Sequence, residues 1–193
     1  MKNLFFTNPF VKYSEKSIFL FSSTISILGI VVAYYFNVRF DGLLDVHQFE
    51  KVSLLLVMQE NGIIIAVMAV LLLVFGKIIN NKTRFIDILN SVLVFRIPFY
   101  VISVLIKIPF MENFEKNVAK NSNNIENLKI DPLELAAVLS IAMSFLVLLG
   151  YAIWLLFIGF KTATNCKKTV YYVVFGLLVI LAEVLTKIFI NLL

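Results

Sequence analysis

Five long apolar runs constrain this chain more than any other feature. They are residues 17–36, 62–79, 86–108, 133–160 and 169–192, each with few or no charged side chains. Roughly 20 apolar residues in helical form cross a hydrocarbon core of about 30 Å. In such a core every backbone N–H and C=O must find its partner within the protein, which leaves helices or a closed barrel. A barrel needs segments of about ten residues that alternate apolar and polar, and none of the runs alternates. The expected fold is therefore an all-α integral membrane protein, a single domain built as a five-transmembrane-helix bundle. Composition agrees: of 193 residues, 61% are hydrophobic and 15% charged, against roughly 45–50% apolar for a soluble domain.

The segment before the first run reads MKNLFFTNPFVKYSEKS. That run is longer than the apolar region of a signal peptide and no A-x-A-like site follows it, so it is expected to be a retained helix. Basic residues orient the bundle. With the N-terminus in the cytoplasm, Lys2, Lys12, Lys16, Lys77, Lys82, Arg84, Lys161, Lys167 and Lys168 lie inside. Arg39, Lys51, Lys107, Lys116, Lys120 and Lys129 lie outside, with most of the acids. The C-terminus is then outside. Tyr34, Tyr35 and Phe36 suit one aromatic belt, and Trp154, Tyr171 and Tyr172 the other. The net charge of +5 fits contact with lipid head groups, not nucleic acid.

Between the spans, 37–61 reads as an amphipathic or re-entrant segment on the outer face, and 109–132 as a polar outer loop with a helical turn near 110–120. Asp131-Pro132-Leu133-Glu134 has the form of a capping box at the start of the fourth helix. Asn8-Pro9 is a weaker start signal for a short interfacial helix. Small residues recur at helical spacing in three spans: Ser22, Ser26, Gly29 and Ala33; Gly62, Ala66, Ala69 and Gly76; Ala136, Ser140 and Ser144. Close backbone approach at small residues helps hold helices together in lipid, so each stripe is expected to face another helix.

Two groups of residues are candidates for chemistry. The first is Asp41, Asp45, His47 and Glu50, which surround the chain's one histidine. A single imidazole with scattered carboxylates does not match the compact sets that zinc prefers. The group is read as a solvated, partly structural loop, with no metal or other cofactor. The second is Arg96, Pro98, Glu183 and Lys187, which place charge and a helix-interrupting proline inside apolar runs. Taken on 86–108, Arg96 lies roughly 15 Å into its span. At that depth it costs about 2.5–3.5 kcal/mol unless it has a partner or a water-filled cavity. Taken on 92–110, it lies one turn inside the inner face and snorkels to phosphate. Both placements stay open. Pro98 leaves the carbonyl of Val94 without its helical donor. Glu183 either forms an exposed i,i+4 pair with Lys187 or meets Arg96 across helices, their depths differing by roughly 6 Å. Cys166, the only cysteine, is read as an inert thiol in preference to a lipidation site.

The runs DILNSVLVFRIPFYV and GYAIWLLFIGFKTATNCKKT, with the W-x-x-x-x-G pattern at Trp154 and Gly159, a basic inner loop and a final span, resemble bacterial members of the Yip family. These are relatives of the eukaryotic Ypt/Rab-interacting membrane proteins. The resemblance implies a compact helical domain in the bacterial cytoplasmic (inner) membrane, a class tied in eukaryotes to vesicle trafficking. The eukaryotic D-L-Y-G-P signature is absent here, so the likeness implies a fold more than Rab binding. The expected function is a non-enzymatic scaffold or partner-binding protein in membrane organisation or trafficking. Its partners would be the bilayer and another membrane protein or a second copy. The alternative is a small-solute or ion transporter or channel using Arg96, Pro98 and Glu183. An intramembrane enzyme would need a nucleophile with a base, or a metal cluster, and one loop histidine supplies neither.

Overall fold

The computed structural model describes residues 8–108 and 131–193. A short helix α1 (Pro9–Lys12) begins at Asn8, whose side chain accepts from the Phe10 N–H, and helix α2 (Glu15–Tyr35) begins at Ser14, which caps Ser17. Asn37 then turns the chain in the left-handed region (φ 54°), where Asn is among the few tolerated side chains. A two-stranded antiparallel hairpin follows, β1 (Val38–Arg39) and β2 (His47–Gln48), with Arg39 opposite His47. Ser53 caps α3 (Leu54–Ile79), which is followed by α4 (Phe85–Leu105). Asp131 caps α5 (Pro132–Thr164), with Pro132 in the first turn as its preset φ favours. Asn165 (φ 52°) stops that helix, and α6 (Thr169–Ile190) ends the fold. Helices α2 to α6 are long and apolar enough to cross a membrane.

The helix limits fall within a few residues of the expected apolar runs except in the second. Helix α3 starts at Leu54, not Gly62, because Glu60 and Asn61 are buried against the rest of the chain instead of marking a wet boundary. The segment expected over 37–61 is thus a hairpin over its first half and helix over its last turns. Residues 109–130, expected as a polar connector with a helical turn, lie outside the described residues.

Helix α4 forms the centre. It packs against α2, α3 and α5, while α3 packs against α6. The α2 stripe faces inward throughout: Ser22, Ser26, Gly29 and Ala33 are all buried. A Cβ at Gly29 would sit 2.2 Å from the Tyr100 ring of α4, so only glycine permits that approach. Gly159 plays the same part on α5, where a Cβ would stand 2.4 Å from Ser91 Oγ and 2.9 Å from Phe10. Stacked and edge-on rings join α3, α5 and α6: Phe75 with Phe160 at 5.5 Å, Phe160 with Phe175 at 5.3 Å, and Phe157 with Phe175 at 5.5 Å. Each such pair adds about 0.5–1.5 kcal/mol beyond its buried area.

The other two stripes are corrected. On α3, Ala69 and Gly76 are buried but Gly62 and Ala66 are exposed, since the inward face is set by Glu60, Asn61, Ile64, Met68 and Leu72. On α5, Ala136, Ser140 and Ser144 are all exposed. The α5 hydroxyls bond back to their own helix, Ser140 to the Ala136 carbonyl (2.8 Å) and Ser144 to that of Ser140 (2.9 Å). Polar satisfaction there needs no neighbouring helix.

Candidate functional site

The seven residues between β1 and β2 do not lie flat on the end of the bundle. They enter it, and Phe40 and Leu43 are fully buried. Irregular backbone in an apolar interior must have its N–H and C=O groups met by protein, and three helices supply the partners. From α3, Glu60 Oε2 accepts from the Phe40 N–H at 3.1 Å. From α4, the Arg96 Nη1 donates to the Leu43 carbonyl at 3.2 Å. From α6, Thr186 Oγ1 accepts from the Leu43 N–H at 3.1 Å and Glu183 Oε2 from the Leu44 N–H at 2.8 Å. The loop is a plug, held by its backbone.

Around this plug the charges close on one another. Glu60, with no exposed surface, pairs with Arg39 at 2.5 Å. Lys187 bridges α6 to the plug, bonding Glu183 at 3.0 Å and also Asp45. His47 Nδ1 lies 2.8 Å from Asp41, which fixes the rim of the hairpin.

Arg96 is midway along α4 and has no solvent exposure. Its Nε donates to Asn61 Oδ1 at 3.2 Å, and the same oxygen accepts from the Tyr100 hydroxyl at 3.1 Å. The guanidinium lies over the rings of Phe40 (4.6 Å), Phe99 (4.8 Å) and Tyr100 (5.8 Å). A desolvated cation over an aromatic face gains about 2 kcal/mol. The cation is therefore stabilised by a carbonyl, an amide oxygen and three rings. Arg96 Nη2 and Asn61 Nδ2 are buried without partners. With zero exposure at Arg96, no water-sized space adjoins it.

The alternatives left open for Arg96 and Glu183 are decided here. Arg96 does not snorkel, because its head group is enclosed. It does not pair directly with Glu183, whose oxygens are taken by Leu44 N–H and Lys187. The Glu183–Lys187 pair forms but is part of the plug's anchor and not a free surface pair. Helix α4 continues through the buried Pro98 to Leu105. Asp41 and Asp45 go to different partners, and Glu50 is exposed and joins neither. Among the described residues there is no group of three or more His, Cys, Asp or Glu placed to hold a metal ion.

The sequence reading missed Arg39, Glu60, Asn61, Tyr100 and Thr186. The signal was present in Glu60-Asn61, two polar residues inside what proves to be a 26-residue apolar helix. Cys166 lies in the turn between α5 and α6 and is 2% exposed. Burial pushes its thiol above the usual range, as an apolar setting does.

Compared with family models, with curated proteins and with solved structures, the chain matches none.

Proposed function

We propose that this chain is a non-enzymatic, multi-pass protein of the bacterial cytoplasmic membrane, of Yip-like type, acting as a scaffold or partner-binding protein in membrane organisation or trafficking. In this reading the N-terminus is cytoplasmic and the hairpin end faces outward, in line with the distribution of lysine and arginine. One observation carries the choice of scaffold over transporter. The charges a pathway would use are closed on the chain's own hairpin, and Arg96 and Glu60 have no exposed surface. An ion or solute route needs groups that face water and bind weakly enough to release.

The surface that remains for partners is helical. Along α5, Ala136, Ser140 and Ser144 are exposed beside Leu139, Met143 and Val147. That combination suits close approach by a helix of another membrane protein or of a second copy. The test is purification of the full chain in mild detergent, with cysteine crosslinking from Ser140→Cys and Ser144→Cys. A defined crosslinked species lost in Ser140→Trp, with unchanged thermal unfolding, is the expected result. A monodisperse, uncrosslinked monomer that passes small ions in proteoliposomes would overturn the reading in favour of transport.

A further inference from the structure

At the opposite end of the bundle from the plug, a cleft of about 490 Å³ is lined by Phe10, Glu15, Arg84, Asp87, Asn90 and Thr162, among others. Its charges do not balance. Arg84 pairs with Glu15 at 2.5 Å and Asp87 at 2.8 Å, two carboxylates to one guanidinium. Asn90, only 2% exposed, donates its Nδ2 to the Glu15 carbonyl at 3.0 Å. That bond fixes the amide so that Oδ1 is the free acceptor, and this oxygen is buried with no donor. A buried acceptor left unmet costs about 1–3 kcal/mol. Because Asn90 lines the cleft, an N–H or O–H of an occupant at its wall is the donor this oxygen lacks.

The cleft does not end in protein. Ile18, which lines it, also lines a second groove of about 420 Å³ between α2 and α4, with Phe21, Val94 and Ile97. Helix α1 spans both. Phe10 lines the cleft while Pro9 and the following Tyr13 line the groove, and Asn8 ties the segment to α5 through Thr162 Oγ1 at 2.9 Å. Lys12 stands over the Tyr13 ring at 4.9 Å, at the groove's edge.

We propose that cleft and groove are one site for a single aminophospholipid of phosphatidylethanolamine chemistry, with its ammonium against Glu15, Asp87 and Asn90 Oδ1 and one acyl chain along Ile18, Phe21, Val94 and Ile97. The phosphate lies beside Arg84 and Lys12. Within the cleft, where Arg84 alone faces Glu15 and Asp87, the acidic excess selects against lipids that carry only negative charge. The Asn90 acceptor selects for an ammonium that keeps its N–H groups, which a choline head group lacks. The site goes beyond the scaffold reading and rests only on the part of it that embeds the chain in a bilayer.

The test is competition on the full chain in mild detergent, read by native mass spectrometry, with phosphatidylethanolamine, phosphatidylcholine and phosphatidylglycerol of identical acyl chains. Retention of the ethanolamine lipid about tenfold over the choline lipid is expected, the factor one charge-assisted hydrogen bond supplies. Ile97→Trp fills the groove and should lose the bound lipid. Asp87→Asn should erase the preference over phosphatidylglycerol. Equal retention of the three lipids by the unaltered protein overturns the proposal, and so does full retention by a folded Ile97→Trp. Should Ile97→Trp not fold, the competition on the unaltered protein decides alone. Extraction of the chain from membranes by alkaline carbonate would sink the membrane reading itself, whereas a carbonate-resistant chain without lipid preference loses only this site.

Discussion

At one end of the bundle Arg39 meets Glu60, whose side chain is 0% exposed; at the other Arg84 meets Glu15, with side chains 59% and 39% exposed. The residue types and the 2.5 Å contacts are the same. What differs is water. Glu60 gave up its hydration and holds a backbone N–H of the plug as well as a guanidinium. Breaking such a pair leaves an uncompensated buried charge. Glu15 and Arg84 keep solvent, and exposed pairs of this kind contribute little. One end spends its polar groups on holding the chain closed, and the other leaves a buried acceptor and a surplus carboxylate beside an open cleft. Similar ion pairs therefore mark architecture in one place and a candidate binding surface in the other.

The comparison can be broken by mutation. Arg39→Ala is expected to have the largest effect, because it strands the fully buried Glu60 carboxylate; the loss is about 3–5 kcal/mol on the scale of buried pairs losing one partner. Thermal unfolding in detergent reads it, and a loss no larger than that of Arg84→Ala would erase the distinction between the two ends. Gly29→Leu comes next, because its Cβ meets the Tyr100 ring at 2.2 Å. Overpacking of this kind costs about 1–3 kcal/mol, whereas Gly62→Ala, with nothing within 4 Å, should be neutral or slightly stabilising. Thr186→Val keeps the shape but strands the Leu43 N–H, and its expected cost is at the low end of about 1–3 kcal/mol. Protease sensitivity should then appear in the hairpin before the helices.

The two smallest effects sharpen the contrast. Arg84→Ala should leave the unfolding temperature unchanged, and any small shift should vanish at high salt. A salt-insensitive loss would mean that the open end is as structural as the plug. Cys166, held above the usual thiol range by burial, has a smaller thiolate fraction at neutral pH than a free thiol. Its labelling by maleimide should be slower than that of an unstructured peptide and should rise only as the pH passes the raised value. Rapid labelling at neutral pH would contradict the burial of the α5–α6 turn.

Much of the fold was legible because the length of an apolar run is a strong local signal. Runs of about 20 apolar residues are long enough to cross a membrane as helices, and all five runs are helical. Ser14, Ser53 and Asp131 mark helix starts through local hydrogen bonds that need no tertiary context. The stripe on α2 was legible because four small residues in register leave one natural packing face. The stripes on α3 and α5 misled, since small residues permit close approach without requiring it. On α3, burying Glu60 and Asn61 outweighed the small residues one face away.

The sequence by itself determined the five long apolar helices among the described residues, their approximate limits, the caps and the presence of charge at Arg96 and Glu183, because these depend on local hydrogen bonding and on the length of an apolar run. Only the tertiary structure decided that Arg96 answers the carbonyl of Leu43 and not the carboxylate of Glu183. Residues that lie 53, 139 and 143 positions apart in the chain meet at the plug, and no local pattern records which of several buried polar groups will satisfy which stretch of unpaired backbone.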